Sequence, residues 1–141
     1  MFDPTQIRID EQTPAIADLI PKIDIERSEA WDTCTNSLLI ESILVRLPIK
    51  DFWLDSREVQ PLKIVDGRKR LWAIAHYLDD GYPLTCLDYL AELKGLRFGQ
   101  LRRGLQRRIL ETRLIVRYIK PGTAPENFEY LKQLIAVHTK G

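Results

Sequence analysis

The chain predicts an α+β domain: a small mixed sheet with helices packed on it. Three observations carry that reading. Segments with apolar residues every three to four positions are interspersed with segments that alternate every second position. The order, helix, strand, strand, helix, helix, strand, helix, has no regular strand-helix-strand rhythm, so a doubly wound sheet is not expected. The 141 residues are 45% hydrophobic and 29% charged, with both signs mixed into apolar segments, as in one globular domain spanning 1–141.

Residues 1–24 are the least defined. Thr13 to Ile20 suits a short helix, with Pro14 in its first turn and Pro21 ending it. Lys22 to Ile25 alternates like a short strand. A helix over 37–47 follows, capped by Thr35 or Asn36, with Leu39, Ile43, Leu44 and Leu47 on one stripe and Pro48 as its stop. Residues 51–54 and 62–65 read as neighbouring strands, a hairpin across the turn at 55–60. The strongest helix runs over 67–78, with Asp66 as N-cap and Gly81 as C-terminal cap. Its expected buried face is Leu71, Ile74, Ala75 and Leu78.

Beyond it, 83–98 is turn-rich, with Leu84, Leu87, Tyr89, Leu90 and Leu93 as core anchors. A helix over 99–110 places Leu101, Leu105 and Ile109 on one side and Arg103, Gln106 and Arg107 on the other. Residues 112–120 alternate as a strand, ended by Pro121-Gly122, and a helix over 126–137 follows.

Several function classes receive no support. No segment reaches the roughly 18 apolar residues of a membrane span. Met1 to Thr5 lacks the basic start and apolar run of a secretion signal, so a cytoplasmic location is expected. Cys34 and Cys86 form no Cys-x-x-Cys pair, and both are read as small packed side chains, with neither a disulfide framework nor a zinc site. No Walker-type loop, nucleophile elbow or His-Glu-x-x-His is present.

Charge is uneven although the net is only +1. Residues 1–60 hold 12 acids and 6 bases, whereas 94–120 hold 9 bases against the single acid Glu111. Such a basic block requires an anionic partner or the chain's own acidic half. Arg103, Arg107, Arg113 and Arg117 are the candidate nucleic-acid face.

The turn Asp66-Gly67-Arg68-Lys69-Arg70 is the one credible ligand site. A helix start leaves amide N–H groups unpaired and carries about half a positive charge. Gly67 admits a ligand close to the backbone, and Arg68, Lys69 and Arg70 add cations there. Phosphate is the natural guest. Bases at a helix start oppose the dipole, a local conflict of the kind functional sites carry.

Three segments resemble the N-terminal domain of GmrSD-type restriction endonucleases, a ParB-like domain with an Asp-Gly-Gln-Gln-Arg motif. Ser37 to Ile49 is close to the family's SLLIESILLRLPIP helix, and Ile64 to Leu71 stands where the family reads VVDGQQRL. Glu26-Arg27 and Trp31 fall where QR and VW lie, and Phe98, Leu101, 105–109 and 114–119 resemble the following helix and strand. The likeness spans about 25–125. It implies a ParB/sulfiredoxin-like fold whose motif turn binds nucleotide or nucleic-acid phosphate, with nucleoside triphosphate and magnesium as the implied ligands and defence against phage or modified DNA as the setting. Asp66 and Arg70 would be catalytic, and Gly67, Arg68, Lys69 and Arg70 would bind phosphate.

Arg68 and Lys69 replace the two glutamines. Glutamine both donates and accepts hydrogen bonds, whereas Arg and Lys only donate, so binding without efficient turnover is expected. The Arg and Asn of the family's closing F-x-R-I-N-x-G-G have no counterpart at 134–141, and against the resemblance a shortened, stand-alone relative without the nuclease domain is expected. A non-enzymatic DNA-binding or regulatory protein-interaction module is the alternative. Glu41, within an apolar helix, is expected to form an ion pair or face solvent, or through the resemblance to partner Arg70 or a metal. His76 is expected at the surface or half-buried, and Trp31, Trp53 and Trp72 as core or edge aromatics.

Overall fold

The computed structural model describes residues 3–25, 31–58 and 60–138; Glu26-Arg27 and the last residues of the 134–141 segment lie outside them. Five strands form one mixed sheet: β1 (Ile9–Gln12), β2 (Ile23–Asp24), β3 (Phe52–Asp55), β4 (Leu62–Asp66) and β5 (Val116–Ile119), in the spatial order β1-β5-β3-β4-β2. β1 lies antiparallel to β5 and β3 antiparallel to β4, while β5–β3 and β4–β2 are parallel. The helices are α1 (Ile16–Leu19), α2 (Thr33–Leu44), α3 (Arg68–Leu78), α4 (Arg103–Leu110) and α5 (Pro125–His138). The α+β class and the β3–β4 pair stand as expected.

Alternation along the strands builds two cores. Phe52, Leu54, Ile64 and Val116 point to one face, where Ile16, Ile40, Ile43, Leu71, Ile74 and Ile109 from α1–α4 cover them. Trp53, Val65 and Ile119 belong to the other face, against Phe128, Leu131 and Ile135 of α5. The period of two in β3 and β4 therefore serves both sides of the sheet.

Several boundaries differ from the pattern reading. α2 begins at Thr33 because Asp32, not Thr35 or Asn36, caps it, accepting the Thr35 N–H at 2.8 Å. It ends before Pro48: Arg46 takes a left-handed conformation (φ 63°), and the Arg46 and Leu47 N–H groups close on the Ile43 and Ser42 carbonyls. Leu47 is accordingly exposed. α3 ends in the same way at Asp80 (φ 58°), with Gly81 one position later donating to the His76 carbonyl. Tyr77 and Ala73, not Ala75 and Leu78, complete the buried face of α3. Phe98–Gln100 is a separate 3-10 turn ahead of α4, and regular pairing of the last strand is confined to 116–119. Tyr89 is 78% exposed and anchors nothing in the core.

Candidate functional site

β4 delivers Asp66 to the sheet edge, and the chain turns into α3 through Gly67 at φ 101°. Two constraints demand glycine there. The left-handed backbone disfavours a side chain, and an added Cβ would collide with the Phe52 ring, meeting Cε1 at 2.9 Å. Gly67, not Asp66, holds the N-cap position, and no side chain caps the first turn.

Asp66 instead turns its carboxylate toward Arg70, with Oδ2 accepting from Nη2 at 3.5 Å. Arg70 is a brace. Its guanidinium donates to the Lys50 and Asp51 carbonyls and lies over the Phe52 ring, with Cζ 4.0 Å from the centroid. Burial draws its proton affinity down, while Asp66 and Asp51 pull it back up. Arg70 thereby ties the start of β3 to the turn, and its donors already have internal partners.

Arg68 and Lys69 are exposed, Arg68 making only a long contact to the Ile64 carbonyl at 3.4 Å. A cleft of about 310 Å³ opens beside them, bordered by Asp66, Gly67, Arg68, Lys69 and also by Trp31 and Lys50. Trp31 and Lys50 were missed as site residues. The one signal in the chain was Trp31 matching the family's VW position.

The four arginines of the candidate nucleic-acid face have different surroundings. Arg103 and Arg107 are exposed on α4, Arg107 in a long pair with Glu111 at 3.4 Å. Arg113 donates to the Thr13 carbonyl at 2.9 Å. Arg117 bridges Asp51 at 2.7 Å and Glu11 at 2.8 Å. The hydrogen bond that Arg117 donates to Asp51 holds its proton affinity above the usual value, against desolvation. The basic block is thus partly answered by the acidic half of the chain.

Two further expectations are corrected. Cys34 and Cys86 are disulfide-bonded: the fold brings Cα atoms 52 residues apart in sequence to 5.3 Å, well within bridging range. Spacing alone carried no sign of this, and the cytoplasmic expectation loses the support that unpaired cysteines lent it. No described helix is long and apolar enough to cross a membrane.

Glu41 neither pairs with Arg70 nor faces solvent. It is 4% exposed, and its carboxylate accepts the N–H groups of Asp88, Tyr89 and Leu90 at 3.2, 2.8 and 2.9 Å. Burial pushes its carboxyl upward, but the three amide donors outweigh that and hold it below the usual glutamate value. Its function is to fold the 88–90 turn onto α2. His76, half-buried, stacks on Trp72 with ring centroids 4.9 Å apart. The chain matches no family model, no curated protein and no solved structure.

Proposed function

We propose that this chain is a ParB-like domain that binds nucleotide or nucleic-acid phosphate at the Asp66–Arg70 turn, without efficient turnover, in a defence or restriction setting. The observation that carries the reading is the open first turn of α3, uncapped by any side chain and flanked by the exposed cations Arg68 and Lys69. Amide donors, the helix dipole and two exposed cations border one cleft, the combination that suits a phosphate. The ParB-like likeness of the 64–71 segment supports the same assignment.

Each residue has a distinct task. Gly67 admits the anion to the backbone, and Arg68 and Lys69 neutralise it. Asp66 and Arg70 hold the turn in shape through their mutual contact and the bonds to residues 50 and 51. Among the described residues Asp66 is the one carboxylate bordering the cleft, so magnesium would arrive with the phosphates and keep most of its waters. With donors in place of both glutamines, no side chain in the motif both accepts and donates to orient a water, which favours holding over hydrolysis.

The test is a titration with ATP, GTP and CTP, with and without magnesium. The Arg68→Ala/Lys69→Ala double variant is the control, since it leaves the Asp66–Arg70 brace intact. Saturable binding that the double variant loses, with little phosphate release, is the expected result. Unchanged binding in the double variant would place the anion elsewhere. The second reading, a DNA-binding or regulatory module, draws on the exposed Arg103 and Arg107 of α4 and on Arg102 just ahead of it. It requires duplex affinity that falls steeply with salt.

A further inference from the structure

A second cleft, of about 320 Å³, lies between the first turn of α2 and the later turns of α3, and its walls are aromatic. Trp72 and His76, one turn apart on α3, stack with their planes 13° apart. Tyr82 tilts against His76 at 5.5 Å, its hydroxyl already donating to the Ala73 carbonyl at 2.7 Å. Trp31 borders the cleft from the other side.

Asn36 also lines this cleft. It is 4% exposed, and its Oδ1 is the one buried side-chain polar atom without a hydrogen-bond partner among the described residues. Leaving such an acceptor unpaired is costly, and a leucine at this point of α2 would avoid the cost. A half-turn about the Asn36 Cβ–Cγ bond exchanges the two ends of the amide, which sets the NH2 group at the buried position and the acceptor on the cleft, where it can meet an arriving donor. Stacking surfaces and an unmet acceptor therefore converge on one space. Aromatic rings offer a face to any flat ring, and the amide adds a hydrogen-bond requirement at its edge.

We infer that this cleft binds a planar nitrogen heterocycle bearing an N–H donor, a ring of the nucleobase type. Trp72, backed by His76, and Trp31 supply the stacking surfaces, and Asn36 accepts the ring's N–H. Trp31 borders the phosphate cleft as well, but the ring site does not rest on phosphate binding, and phosphate-free probes keep the two apart.

Adenosine is the probe, followed by tryptophan fluorescence and by NMR of the Trp72 indole and Asn36 amide groups. Saturable quenching with shifts at both residues is expected. N6,N6-dimethyladenosine stacks equally well but lacks the exocyclic N–H, and should bind about tenfold or more weakly. Asn36→Leu should erase that preference while retaining weak stacking. Absence of a saturable signal, or equal affinity for the two nucleosides, overturns the inference, as does a preference that survives in Asn36→Leu. Should that variant fail to fold, the nucleoside pair on the unaltered protein still decides.

Discussion

α2 and α3 begin in opposite ways. At the start of α2, Asp32 caps the first turn, and nine residues along, Glu41 gathers the amides of 88–90. At the start of α3 there is a left-handed glycine, no side-chain cap and a run of bases. One helix supplies carboxylates to backbone donors, and the other leaves its donors open beside cations. The first arrangement is complete in itself, whereas among the described residues no side chain caps the second. On the proposed reading the contrast separates two tasks: Glu41 on α2 holds the fold together, whereas Arg68 and Lys69 at the head of α3 serve the anion.

The sharpest way to break the comparison is Glu41→Leu. Three amides lose their acceptor, and the fold should lose about 3–5 kcal/mol in denaturant unfolding. Protonation reaches the same group. Because its folded-state pKa is lowered, the Glu41 contribution is full above the ordinary glutamate value of about 4.3 and is lost as pH falls through the folded value. Acid titration of stability should therefore be flatter in Glu41→Leu, and an unchanged profile would mean that the 88–90 amides find other acceptors.

Next in size is Gly67→Ala. Left-handed strain and the collision with Phe52 together should cost about 2–4 kcal/mol. Gly104→Ala, where an added Cβ meets nothing within 4 Å, is the matched control and should be neutral or stabilising. Equal effects at the two glycines would show that the turn tolerates a side chain. The smallest expected effect has the opposite sign. Arg68→Ala/Lys69→Ala removes bases from a helix start and should raise stability by up to about 1 kcal/mol. A thermal midpoint that falls in this variant would assign the two cations to the scaffold.

Much of this contrast was legible in the chain. The alternation over 62–65, the glycine and the helical stripe from Leu71 located the β4–α3 junction, because each obeys a local rule. What local rules do not record was lost. Arg70 reads as one of three bases, yet Phe52 and the carbonyls of 50 and 51, far along the chain, turn it inward. Glu41 reads as an intrusion in an apolar helix, and its partners lie 47–49 residues away. Arg46 and Asp80 end their helices in a conformation that patterns assign to glycine. Ile9–Gln12 is a mostly exposed edge strand whose partner lies near the other end of the sequence, so its polar residues carried no signal.

That edge strand fixes an order of events. Ile9 pairs with Ile119, and Asp3 exchanges hydrogen bonds with Asn127. β5 lies between β1 and β3, so β1 has no seat on the sheet until β5, the last of the five strands, is in place. Closing so long a loop is slow relative to forming helices. The β3–β4 pair is therefore expected to form before β1 is seated, and a chain cut between β4 and β5 would leave one edge of β3 open to strands from other molecules.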